Sequence, residues 1–134
     1  MNWISPKVDW TENDYINVTD YNRIKNNLLY LKDLCGEIFL LPGFDEMATK
    51  DVTQFPYADE LNAIENNIES LNLNSYVHYI GSKKAFVENG FMPDYNELQR
   101  IEKAMLDIYN RAIYDVEILT TLSFSLGNMR GIKT

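Results

Sequence analysis

The amino-acid sequence predicts an all-α fold in which three repeated helix motifs, at about 18–35, 58–73 and 95–125, pack as a small bundle. Three observations predict it. Aligning Ile24, Ile64 and Ile101 places Tyr21, Leu61 and Leu98 three residues earlier, with Leu28, Ile68 and Met105 four later and Leu31, Leu71 and Ile108 seven later. Apolar residues at −3, 0, +4 and +7 trace one stripe of an α-helix, and their recurrence after 40 and then 37 residues marks an internal repeat. Helix-start signals recur as well, since Asn17 precedes Asp20 and Asp94 precedes Glu97 by three residues, the spacing of a capping box.

At 134 residues and 46% hydrophobic content the chain is long enough for one domain with a core of its own. Residues 1–15 form an N-terminal arm, holding Trp3, Ile4, Val8, Trp10 and Tyr15 with no helical period. The helical repeat domain spans 16–126. Its first helix ends near Gly36, and Leu40-Leu41-Pro42-Gly43 forces a turn into a polar loop. The second helix keeps the acidic first turn, Asp59 and Glu60, behind a poor cap at Pro56-Tyr57. A short segment, Tyr76 to Phe86, leads to Gly90 and the third helix, whose Leu98, Ile101, Met105, Ile108, Ala112, Val116, Leu119, Leu122 and Leu126 form nearly a heptad seam. A C-terminal tail, 127–134, carries Gly127, Met129, Gly131 and Ile132. Aromatic or apolar lead-ins precede each start (Tyr15-Ile16, Phe55-Pro56, Phe91-Met92-Pro93) and are candidate hydrophobic staples.

Asparagine inside a helix costs about half a kcal/mol against alanine, yet Asn22, Asn26 and Asn27 recur as Asn62, Asn66 and Asn67. Asn27 and Asn67 flank the apolar stripe, where their amides are expected to bond loop backbone from the neighbouring copy. Ala104 takes that position in the third copy.

Chemistry is sparse. Cys35 is the sole cysteine and His78 the sole histidine, so no intrachain disulfide forms, and a zinc site or Cys/His nucleophile pair has too few ligands. Cys35, near the end of an apolar helical stretch, reads as a buried structural thiol. No phosphate-binding glycine loop, nucleophile elbow, CxxC pair, HExxH or EF-hand loop occurs. The expected catalytic, cofactor-binding and metal-ligating residues are therefore none, and no cofactor is expected. The net charge of −8 is carried between Glu12 and Glu69, where twelve acidic residues face four basic ones. That balance argues against nucleic acid as a partner, because such surfaces cluster Lys and Arg. The apolar ends either fold onto their own core or dock on another chain; Trp3, Ile4, Trp10, Tyr15, Met129 and Ile132 are the candidate interface residues.

Asp9-Trp10 and Asp14-Tyr15-Ile16-Asn17, leading into Asp20-Tyr21-Asn22-Arg23-Ile24 and Asn26-Asn27, resemble small structural and fibre-associated proteins of phages and prophages of Gram-positive bacteria. Those proteins look like arrays of D-x-N-R-I-E-x-N helices, each opened by an aromatic residue. Phe55-Pro56-Tyr57 with Asp59-Glu60-Leu61-Asn62-Ala63-Ile64-Glu65-Asn66-Asn67 matches best, and Leu98-Gln99-Arg100-Ile101-Glu102 fits the third unit. The departures are Ala63 where the family tends to have Arg, and Gln99 where it has Asn. The resemblance implies a non-enzymatic virion component of the tail, baseplate or fibre region. Its implied partners are other virion proteins and copies of itself, without nucleic acid, membrane or small-molecule substrate. The start of the chain lacks the pattern of a signal peptide, so synthesis in the bacterial cytoplasm and residence in the virion are expected. The alternative is a small acidic phage-encoded inhibitor or adaptor that binds a host protein, suggested by the acidic block.

Overall fold

A computed structural model describes residues 2–47, 58–87 and 94–133, with residues 123–133 given as helical backbone only. The chain folds into α1 (Val18–Cys35), α2 (Ala58–Leu73) and α3 (Tyr95–Lys133), and no strand occurs among the described residues. The first two helices have the bounds read from the sequence. The third starts as expected but continues past 125 to Lys133, so residues 127–133 extend α3 instead of forming a separate tail. Gly127 and Gly131 lower helix propensity by about 1 kcal/mol each relative to alanine, which weakens a helix without stopping it.

Local chemistry sets the starts. Asn17 Oδ1 accepts the Asp20 N–H and Asp20 Oδ2 accepts the Asn17 N–H, both at 3.0 Å, a complete capping box. Asp94 Oδ1 accepts the Glu97 N–H at 3.1 Å, and Glu97 Oε2 accepts the Asp94 N–H at 3.3 Å. In the first lead-in Ile16 is buried while Tyr15 turns outward. The lead-ins at 55–56 and 91–93 lie outside the described residues.

Ile24, Ile64 and Ile101 occupy equivalent buried sites, and every residue at −3, +4 and +7 from them is buried too. Each helix touches the other two. The three run parallel. Arg23 meets Glu102 and, seven residues on, Tyr30 lies 6.0 Å from Tyr109. Glu65 meets Arg100 and, eleven residues on, the Tyr76 ring lies 5.0 Å from the Arg111 guanidinium. Parallel neighbours need a connection that runs back along the bundle, and the described lead-in residues 2–10, 41–47 and 77–87 are non-helical chain of that kind. Each repeat is therefore an extended lead-in followed by a helix.

Candidate interaction surface

The first lead-in lies between α1 and α3. The Trp3 indole stacks on Tyr109 at 4.1 Å and tilts against Tyr30 at 5.7 Å. Farther along, the Lys7 N–H reaches Glu102 Oε1 at 3.1 Å and the Trp10 indole N–H reaches Glu102 Oε2 at 2.5 Å. Of the two fates open to this arm, the chain adopts folding onto its own core. Trp10 is only 7% exposed, so it is a core residue and not a docking side chain. Trp3 is half-buried by its own tyrosines. Ile4, at 44%, and Tyr15, at 83%, remain on the surface. Burial follows from the indole N–H: a buried tryptophan needs an acceptor, and Glu102 supplies one.

Glu102 is fully buried and accepts four bonds. Besides Lys7 and Trp10, Arg23 donates Nε–H to Oε1 at 2.7 Å and Nη2–H to Oε2 at 2.9 Å. Arg23 stands one residue before its central isoleucine, and Glu102 one after its own. The same positions pair again where Arg100 Nη2 donates to Glu65 Oε1. A cyclic arrangement of three repeats calls for a third pair between the position before Ile64 and the position after Ile24. Ala63 and Lys25 stand there, so both members of that pair differ from the other two. A buried arginine without its carboxylate is costly, which accounts for the paired change.

The asparagines bind extended backbone. Asn27 accepts the Ile4 N–H at 3.0 Å and donates to the Ile4 carbonyl at 2.7 Å. Asn67 treats Asp45 alike, at 2.8 and 3.0 Å. These segments lead into the asparagine's own helix, which corrects the expectation that a neighbouring copy supplies them. The neighbouring lead-in is held instead by the amides two residues before the central isoleucine. Asn62 bonds the N–H and carbonyl of Phe86, both at 2.8 Å, and Gln99 bonds the Trp10 N–H at 3.1 Å and the Val8 carbonyl at 2.5 Å. Each amide supplies the donor and acceptor that an adjacent strand would have supplied, so the lead-ins stay extended without a sheet.

The exposed apolar surface lies elsewhere. At 1.5 Å per residue, the 39 residues of α3 span about 58 Å against about 27 Å for the 18 of α1. Among the described side chains of α3, Ala112 is the last fully buried one; beyond it Ile118, Leu119 (44% exposed) and Leu122 (52%) carry the apolar row out of the bundle. Val116 and Leu119 form one wall of a shallow groove of about 270 Å³ whose other wall is Glu37 and Ile38. Leu119 and Leu122 belonged to the sequence-read seam, but the point at which it loses its neighbours depends on where α1 and α2 end. Met129 and Ile132 sit on the helical backbone of α3, and their side chains lie outside the described residues.

Among the described residues no three His, Cys, Asp or Glu side chains gather as metal ligands, and no helix is long and apolar enough to cross a membrane. Cys35 is buried, and desolvation pushes its thiol up from 9.0 to about 11. The fold defines a small all-α bundle of three parallel, diverged lead-in-plus-helix repeats. Compared with known proteins, the chain matches no family model, no curated protein and no solved structure.

Proposed function

We propose that this chain is a non-enzymatic structural protein of a phage or prophage virion, in the tail, baseplate or fibre region, assembling through protein–protein contacts. The observation that carries the proposal is the α3 extension: a helix that leaves its bundle with Leu119 and Leu122 half exposed presents apolar surface in a form that a partner helix covers. The sequence resemblance supplies the virion setting. Buried charges here are tied to structural bonds, with Glu102 holding the first lead-in and the Asp20 carboxylate accepting the Asn17 N–H in the capping box of α1. Partners are expected among other virion proteins and copies of this chain.

The test combines two measurements. Mass spectrometry of purified particles from a strain carrying the gene is expected to find the protein, and light scattering of the isolated protein is expected to give a mass above the 15.6 kDa monomer. A strictly monomeric protein absent from particles overturns the proposal. An inhibitor of a host protein is the second reading, motivated by the acidic block. Asp14, Asp20, Asp45 and Glu65 in that block are already committed to internal bonds, which leaves fewer carboxylates for a basic partner.

A further inference from the structure

The seam of α3 that joins the bundle core passes through Met105, Ile108 and Ala112, all fully buried. Continued at the same alternating spacing of three and four, it reaches Asp115, Leu119, Leu122, Leu126, Met129 and Lys133 without a break in register. The helix continues over the same span. Because its first half is folded into the bundle, the extension needs no helix nucleus of its own.

Charge marks the two ends of this extended seam. No charged residue occurs from Ile118 to Met129, and the seam's two charged positions, Asp115 and Lys133, bracket that run with opposite signs. Asp115 is half-buried, and its Oδ2 accepts the Tyr76 hydroxyl at 2.8 Å. Among the described residues its carboxylate has no ion pair. An apolar run with an acid at one end and a base at the other is matched, charge for charge, by the same run reversed.

We propose that the α3 extension pairs with that of a second copy, antiparallel, about a two-fold axis at the level of residue 124. This rests on the reading of the extension as the contact surface and names its occupant. In this register Leu119 comes level with Met129 of the second copy, Leu122 with Leu126, and Asp115 with Lys133. The groove between Leu119 and Ile38 lies at the level of Met129 of the second copy. Parallel pairing of the same seam would set Asp115 beside Asp115 and Lys133 beside Lys133, and would bring the two acidic blocks side by side. Antiparallel pairing over residues 115–133 holds the two bundles at opposite ends of a shared segment about 28 Å long.

Sedimentation equilibrium of the full chain is expected to give twice the 15.6 kDa monomer mass. Disulfide trapping in a glutathione redox buffer reads the orientation, with the buried Cys35 kept and the unsubstituted chain as control. Leu119→Cys alone and Met129→Cys alone are expected to stay uncrosslinked, because the two-fold axis sets each cysteine about 15 Å along the helix from its own copy. An equimolar mixture of the two variants is expected to trap as a dimer. Lys133→Asp is expected to weaken self-association at least threefold with an unchanged helical circular dichroism spectrum, whereas parallel pairing predicts no loss. A mass other than that of two chains overturns the proposal, as does crosslinking of either variant alone, no trapping in the mixture, or unchanged association in Lys133→Asp. A monomer that is nonetheless present in particles overturns this pairing and leaves the virion assignment standing. A trapped antiparallel dimer absent from particles does the reverse.

Discussion

Arg23 and Glu102 lie 79 residues apart in sequence and meet through two parallel bonds, Nε to Oε1 at 2.7 Å and Nη2 to Oε2 at 2.9 Å. The pair ties the first repeat to the third, and Glu102 is fully buried. Replacing Arg23 by alanine leaves that carboxylate with only the Lys7 and Trp10 donors. A loss of roughly 3–5 kcal/mol is expected, as for other broken buried pairs, and urea unfolding measures it. Arg23→Lys keeps the charge but loses the fork, and is expected to fall between wild type and alanine.

The vacant third pair offers a test of the repeat symmetry. Ala63→Arg alone buries a cation among apolar neighbours and is expected to destabilise. Adding Lys25→Glu supplies the carboxylate at the position equivalent to Glu65 and Glu102. The double variant is expected to exceed the sum of the single changes by about 0.5–3 kcal/mol, the range of coupled neighbours. Strict additivity in a double-mutant cycle would mean that the three interfaces are not equivalent.

Asn27 satisfies both backbone groups of Ile4 while fully buried itself. Asn27→Ala is expected to cost about 1–3 kcal/mol, because it removes two part-buried hydrogen bonds worth roughly 0.5–1.5 each. The effect should be local first: amide exchange at Ile4 accelerates, and Trp3 fluorescence shifts to the red as the arm lifts from Tyr109. Equal acceleration throughout α2 would instead point to global unfolding.

Alkaline pH should destabilise the fold. Burial raises Cys35 from 9.0 to about 11, and burial together with Glu60 and Asp59 raises Tyr21 from 10.0 to about 12. Both groups hold their protons more tightly folded than unfolded, so their contribution is complete below pH 9 and is lost as pH climbs toward 12. Unfolding free energies from urea titrations at pH 8, 9, 10 and 11 are expected to fall steadily, by on the order of 2 kcal/mol over that span. Cys35→Ala should flatten the first part of the decline. Native Cys35 should also react with iodoacetamide at pH 8 at least tenfold more slowly than in the unfolded chain.

Leu119 and Leu122 lie beyond the part of α3 that α1 and α2 cover. Converting both to aspartate should change monomer stability by less than about 1 kcal/mol, since each is a surface position. If the extension is a contact surface, the same double variant lowers the solution mass to that of the monomer. Light scattering at matched concentrations gives the answer.

Local periodicity made much of this molecule legible. The bounds of α1 and α2, the start of α3, the capping boxes at Asn17 and Asp94, and the buried equivalence of Ile24, Ile64 and Ile101 rest on short-range chemistry: residues three, four and seven apart share a helix face, and a cap acts within one turn. The recurring asparagines were legible as backbone-binding amides, but not which segment they bind. That depends on helix direction, and parallel packing brings each lead-in back past its own helix.

The remaining features were decided by contacts between residues far apart in the chain. Nothing within the first fifteen residues separates a docking tryptophan from a core one; Trp10 is buried because Glu102, 92 positions later, accepts its indole N–H. The Arg–Glu pairing is written at −1 and +1 of the repeat, yet it becomes visible only when three parallel helices set those positions side by side. Helical pattern is encoded by neighbours along the chain, and so the sequence alone determined it. Which polar atoms meet which partners is set by the packing of distant segments, and only the tertiary structure decided that.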